Sequence, residues 1–139
     1  MPDNARPPIS AFIIALNEAD RIGKAIAGLR EWVDEVVVID SGSSDETVAL
    51  SAGLGARVLH NPWPGYGRQK RFGEASCRNQ WVLNVDADER VTPELADEIV
   101  RLFRHGRPPD DAYRIRIVDV HPQGGRAAPL AFAYAPIRL

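Results

Sequence analysis

Between residues 9 and 118, short β-branched and apolar runs alternate with amphipathic stretches of about ten residues, and this alternation leaves few architectures open. Runs 9–16, 35–40, 57–60, 81–85 and 112–118 read as strands, and stretches 21–29, 46–52, 67–76 and 93–103 as helices. Strands separated by helices pair in parallel through right-handed crossovers. The expected fold is therefore α/β, a doubly wound and mostly parallel sheet with helices on both faces. The run Glu35-Val36-Val37-Val38-Ile39-Asp40 supports this, because its unbroken apolar centre suits a strand covered on both sides.

Such a sheet binds ligands beyond the carboxyl ends of its strands, and four polar loops leave at that edge. Asp86-Ala87-Asp88-Glu89 follows the run 81–85, placing two carboxylates one residue apart where charge is costly without a cation or polar ligand. An aspartate after a strand also serves as a helix cap or turn former. Here, however, Thr92 with Pro93 and Glu94 already supplies the start of the next helix. After the first strand comes Asn17-Glu18, and after the second Asp40-Ser41-Gly42-Ser43-Ser44-Asp45. In that second loop Ser44 or Asp45 is expected to cap a helix, while Asp40 suits a ribose hydroxyl or a base N–H. The third loop carries Trp63, Tyr66, Arg68, Lys70 and Arg71, which read either as cations for a diphosphate or as a solvated helix face.

Composition removes several classes. With 17 basic against 19 acidic residues and a net charge of −2, the chain has no bulk attraction for nucleic acid. Cys77 is the only cysteine and the three histidines are scattered, which disfavours a structural zinc site and a disulfide framework and suits the cytoplasm. No Gly-x-Gly-x-x-Gly or Gly-x-x-x-x-Gly-Lys-Ser/Thr motif is present, so dinucleotide and P-loop readings fail. The N-terminus lacks a signal-peptide layout and no apolar run reaches the length of a spanning helix, so membrane contact is expected to be peripheral. One domain over residues 1–139 is expected, with 1–8 a disordered arm. The apolar stretch 127–139 ends without a cap or polar tail, and reads as a truncation within an incomplete acceptor-side region over 119–139.

Four motifs in order carry a resemblance: Ser10 to Glu18, Val37 to Thr47, Gly65-Tyr66-Gly67-Arg68-Gln69-Lys70, and Trp81 to Glu89. Together they resemble the family 2 glycosyltransferases of the GT-A fold, in particular the bacterial lipopolysaccharide-core glucosyltransferase branch, over roughly residues 9–103. The resemblance implies that Ala15, Asn17 and Glu18 line a nucleotide pocket, that Asp40 contacts uracil or ribose, and that Ser43 and Asp45 complete its loop. Lys70 or Arg71 would lie near the nucleotide. Asp86 and Ala87 would belong to the donor site, with Asp86 at the ribose or the metal's water shell, and Asp88 would ligate Mg²⁺ or Mn²⁺ directly. It further implies an inverting transfer from a nucleotide sugar such as a UDP-hexose to a glycan or lipid-linked saccharide, at the inner face of the plasma membrane. No catalytic base is assigned; Asp119 and His121 match no base motif. Two other readings stand beside it, a non-catalytic nucleotide-sugar-binding fragment and a nucleotidyltransferase. The latter is disfavoured because Ala15-Leu16-Asn17-Glu18 lacks a Gly-rich basic loop.

Overall fold

A computed structural model describes residues 5–118 and the backbone of 133–134. The chain forms two compact units, the first ending at Pro108 and the second beginning at Pro109. The first contains β1 (Ile9–Ala15), α1 (Ile22–Ala27), β2 (Glu35–Asp40), α2 (Thr47–Gly53), β3 (Arg57–His60), α3 (Tyr66–Ser76), β4 (Trp81–Asn84) and α4 (Pro93–Leu102). Its four strands are parallel in the order β3-β2-β1-β4. This is the doubly wound α/β arrangement expected from the alternation.

The order of the strands explains the layers. The steps β1 to β2 and β2 to β3 run one way along the sheet, and the step β3 to β4 runs back past both. Right-handed crossovers therefore place α1 and α2 on one face and α3 on the other. In agreement, α1 packs on α2, whereas α3 packs on β1 and β2. Because both faces are covered, Val36, Val37, Val38 and Ile39 are all buried. Under α3 the core is Phe12, Val37 and Ile39, with Ile14, Leu59, Phe72, Cys77 and Val82 packed around them. Burial of this size holds the layers together at about 25 cal/mol per Å² of apolar surface.

The amino ends of the strands are tied by a polar network. Glu35, buried at the start of β2, accepts from Ser10 Oγ at 3.1 Å and from Arg78 N at 3.0 Å, and pairs with Arg57 at 3.4 Å. Next to it, hydrogen bonds from Asn79 and Arg78 hold the Asp34 carboxyl below its ordinary range. Charge at this end is thus paired within the protein.

Element ends differ slightly from the sequence reading, as expected where helix termini fray. One strand differs in kind. The run 112–118 is a strand only at β5 (Ile117–Val118), which pairs antiparallel with β6 (Ala133–Tyr134) in a separate two-stranded sheet of the second unit. Its β-branched residues satisfied the local pattern, but sheet membership is set by long-range pairing that the pattern does not encode. Of the arm 1–8, residues 5–8 are described. Pro7 is buried, and the Arg6 guanidinium reaches the Val33 carbonyl. The expectations on residues 1–4, on Asp119 and His121, and on the acceptor-side region other than the 133–134 backbone lie outside the described residues.

Candidate functional site

The order in which the chain adds strands reverses between β1 and β4. In open α/β sheets the crevice at that switch point, beyond the carboxyl ends, is where ligands bind. Here it is bordered by the loop after β1 and by Asp86-Ala87-Asp88. The ladder runs on to Val85, whose N–H donates to the Phe12 carbonyl at 3.1 Å, so Asp86 is the first residue clear of the sheet. Ala87 is buried and anchors the turn, leaving Asp86 and Asp88 exposed on either side of it. The Asp86 N–H donates to Glu89 Oε2 and the Asp86 carbonyl accepts from the Glu89 N–H, both at 2.9 Å, so Glu89 closes the turn.

The loops after β1 and β2 interlock. Asn17 has φ +52, and it is the one non-glycine residue with positive φ among those described. Its side chain reaches αL because Oδ1 accepts from Ser44 N at 2.8 Å and, more weakly, from Ser44 Oγ and Asp45 N at 3.3 Å. In return Asn17 N donates to Ser43 Oγ at 2.9 Å and Glu18 N to Thr47 Oγ1 at 2.9 Å. Asp45 accepts from Ala19 N at 3.2 Å and from Thr47 N at 2.9 Å, but the N-cap of α2 is Glu46, without a side-chain cap bond, so neither Ser44 nor Asp45 holds the cap position expected of them. The Asp45 carboxyl is held below the usual range, chiefly by the Thr47 hydroxyl. Glu18 pairs with Arg21 at 2.7 Å.

Asp40 is 3% exposed, and its carboxylate is largely committed to its own loop. Oδ2 accepts from Gly42 N and Ser43 N at 3.0 and 2.9 Å, and Oδ1 from Ser43 Oγ at 2.5 Å, with His60 Nδ1 3.8 Å away. Gly42 lies at φ +116, which makes this tight wrap possible without a Cβ clash. Ala15 is buried, and its carbonyl accepts from Ser41 N. Lys70 and Arg71 are exposed on α3. Asn17, Ser43 and Asp45 are thus brought together directly, with Asp40 holding Ser43 from below; Glu18 joins them through Thr47. Lys70 and Arg71 make no polar contact with that set.

Sequence reasoning gave no role to the residue that joins the second and third loops. Gln69 is fully buried, and its amide receives Asn61 Nδ2 at 2.6 Å while donating to Ser41 Oγ at 3.1 Å and the Asn61 carbonyl at 2.9 Å. The available signal was its position four residues before Gly73, on the face of α3 that meets the sheet. Thr47 was missed likewise, since a helix-start threonine reads as ordinary.

The donor set at Asp86 and Asp88 suits a hard divalent cation. Among the described residues no three acidic, histidine or cysteine side chains cluster as a full cage. A cation of the magnesium class does not need one, because it binds through one or two carboxylates and completes its shell with water and phosphate oxygens. The exposed Asp88 carboxylate fits that role.

The model of Glycosyl transferase family 2 matches residues 10–126. An uncharacterized glycosyltransferase of Rickettsia felis is 50% identical over 114 residues, covering 81% of this chain and 40% of that protein. The lipopolysaccharide core biosynthesis glycosyltransferase LpsC of Rhizobium meliloti is 44% identical over 101 residues, 69% of this chain and 37% of that protein. Among solved structures, glucosyl-3-phosphoglycerate synthase from Mycobacterium tuberculosis, in complex with Mn²⁺, uridine diphosphate and glucosyl-3-phosphoglycerate, superposes with a TM-score of 0.58 at 28% identity, covering 72% of this chain and 40% of that one. The chain spans about 40% of the length of these relatives.

Proposed function

Because the chain belongs to glycosyl transferase family 2, with the GT-A fold, we propose that its first unit is the donor-binding half of an inverting, metal-dependent enzyme that takes a hexose from a UDP-sugar to a lipopolysaccharide-core or other glycan acceptor. The observation that carries this reading is the exposed Asp88 carboxylate at the switch point of the sheet, beside a pocket edge whose loops are already locked together. Asp88, with Asp86 next to it, would hold Mg²⁺ or Mn²⁺, which when bound offsets charge on the departing nucleoside diphosphate. The complex of the mycobacterial synthase with Mn²⁺ and uridine diphosphate supports this choice of ligand.

The residues of the chain divide the remaining work. Asn17, Ser43, Asp45 and Thr47 hold the two loops in one arrangement before the donor arrives, so little ordering entropy is lost on binding. Asp40 meets uracil or ribose with the acceptor capacity of Oδ1 that Ser43 leaves unused. Ala15 and Glu18 shape the pocket floor and wall, Ala87 sets the turn that presents both aspartates, and Lys70 or Arg71 meets the diphosphate. In the transfer, the acceptor oxygen attacks the anomeric carbon, its proton passes to a base, and the bond to the diphosphate oxygen breaks with inversion. No described residue is assigned as that base.

Calorimetry with UDP and Mn²⁺ tests the reading. Binding should need the metal, and Asp88→Ala should abolish most of it while leaving the thermal midpoint unchanged, since the side chain is exposed. Equal affinity in EDTA refutes the metal assignment. Sugar release from UDP-glucose then separates an active enzyme from a nucleotide-sugar-binding fragment, which would bind without turnover.

A further inference from the structure

Glu89 stands where its charge works against the fold. Asp86, Asp88 and Glu89 put three carboxylates within four residues, and like charges this close repel. The spacing Asp86-x-x-Glu89 is that of a helix capping box, in which a glutamate reaches back to the backbone N–H three residues before it. No helix starts here. The next one, α4, begins at Pro93 with its own cap, Thr92 Oγ1, which accepts from Leu95 N at 3.2 Å. Glu89 nevertheless makes the reciprocal pair of bonds: Oε2 accepts from Asp86 N, and Glu89 N donates to the Asp86 carbonyl, both at 2.9 Å. Capping a helix therefore does not account for the side chain, and what the bonds hold is the turn itself.

The surroundings of the turn indicate what that holding is for. Before it, Val85 N is tied to the Phe12 carbonyl at 3.1 Å. After it, the Val91 carbonyl passes so close to the end of α1 that a Cβ on Gly28 would lie 3.3 Å away. Both ends of the segment are thus fixed to the body of the first unit, and between them buried Ala87 separates the exposed Asp86 and Asp88. The directions in which those two carboxylates leave the backbone follow from the shape of the turn that Glu89 closes. A carboxylate acceptor makes a stronger bond to an N–H than a neutral one does, which favours glutamate at this position despite the repulsion. We propose that Glu89 is a positioning residue for the divalent cation: its side chain binds the Asp86 N–H and keeps the turn in the shape in which Asp88, with Asp86 beside it, presents its carboxylate. This inference rests on the metal reading of Asp88 given above. It assigns Glu89 the part of a hydrogen-bond acceptor, so glutamine, which offers the same oxygen without the charge, should stand in for it and alanine should not.

The test compares native, Glu89→Gln and Glu89→Ala chains. Binding of Mn²⁺ in the presence of UDP is read from the loss of the free-ion signal in electron paramagnetic resonance. Partners behind metal ligands commonly carry tenfold or more of the affinity, so Glu89→Ala should weaken Mn²⁺ binding about tenfold and Glu89→Gln no more than about threefold. In the metal-free chains, hydrogen exchange followed by nuclear magnetic resonance should show the Asp86 amide protected in the native and Glu89→Gln chains and faster in Glu89→Ala. Melting curves check that the variants are folded; should Glu89→Ala not fold, a tenfold loss of Mn²⁺ affinity in Glu89→Gln is enough to overturn the proposal. Equal losses in the two variants would trace the effect to charge and overturn it as well, as would an unchanged Asp86 amide in Glu89→Ala. Native Mn²⁺ affinity in Glu89→Ala refutes this inference alone, whereas a native chain that binds UDP equally well without Mn²⁺ refutes the metal reading and this inference together.

Discussion

Replacing Gly73 by alanine should destabilise the domain, although alanine is the better helix former. A Cβ at this position would lie 2.4 and 2.6 Å from Phe12 Cδ2 and Cε2 and 3.1 Å from Cγ. Carbon atoms rest at about 3.5–4.0 Å, so the ring or the helix must retreat by about 1 Å. The ring has nowhere to go, because Phe12 is buried with Val37 and Ile39 and enclosed by Ile14, Leu59, Phe72 and Val82. Overpacking of this kind costs about 1–3 kcal/mol, and a clash with a rigid ring belongs at the upper end. The propensity gain of about 1 kcal/mol leaves a net loss of about 1–2 kcal/mol. Urea unfolding followed by far-UV circular dichroism measures it. Phe12→Leu alone should also destabilise, by leaving a cavity. Combined with Gly73→Ala it should recover stability relative to the sum of the single changes, a coupling of about 1 kcal/mol or more. A Gly73→Ala chain as stable as the native one, or additive behaviour in the double variant, would refute the argument that α3 is seated by the missing side chain.

Gln69→Leu should cost about 2–3 kcal/mol in urea unfolding, since Asn61 Nδ2 and Ser41 Oγ lose their partner, and it should weaken UDP affinity by loosening two loops; unchanged values in both assays would count against it. At Asn17, φ +52 means that Asn17→Ala should be less stable than Asn17→Gly by about 1 kcal/mol, because both lose the bonds from Oδ1 but only alanine strains the backbone, and the reverse order of melting temperatures would contradict this. Burial pushes the Cys77 thiol up to about 11, so it should resist a disulfide reagent at pH 8 until the chain is unfolded. Between its ordinary value of 9.0 and about 11 the native state keeps a proton that the unfolded state releases, and Cys77's contribution to stability should fall as pH rises through that window. Rapid native-state labelling at pH 8 would show the burial argument to be mistaken.

Much of the site was legible locally, and the rest was not. Asp86 and Asp88 stood out because a charged pair follows an apolar run, and Thr92 was readable as a cap; the structure gives Thr92 Oγ1 the Leu95 N–H at 3.2 Å. Asp40, Asn17 and Asp45 were read as contacts to a ligand, and in the structure their side chains bond chiefly within and between the two loops. An isolated aspartate at a strand end looks the same whether it meets a ligand or its own loop, and only the partners distinguish the two. Gln69 was invisible for a related reason. A glutamine between an arginine and a lysine reads as surface, and it is buried because α3 approaches β1 closely at Gly73.

By itself the amino-acid sequence determined the α/β class, the positions of the four strands of the first unit, and the loops that carry chemistry. Period, β-branching and turn residues act within a few positions of one another, so they can be read along the chain. The order β3-β2-β1-β4, the crevice between β1 and β4, the interlocking of Asn17 with Ser44 and Asp45, and the removal of residues 112–118 from the parallel sheet were decided by tertiary structure alone. Each of these depends on groups brought together from distant positions, where backbone pairing and the burial of polar atoms choose among arrangements that local pattern leaves equal.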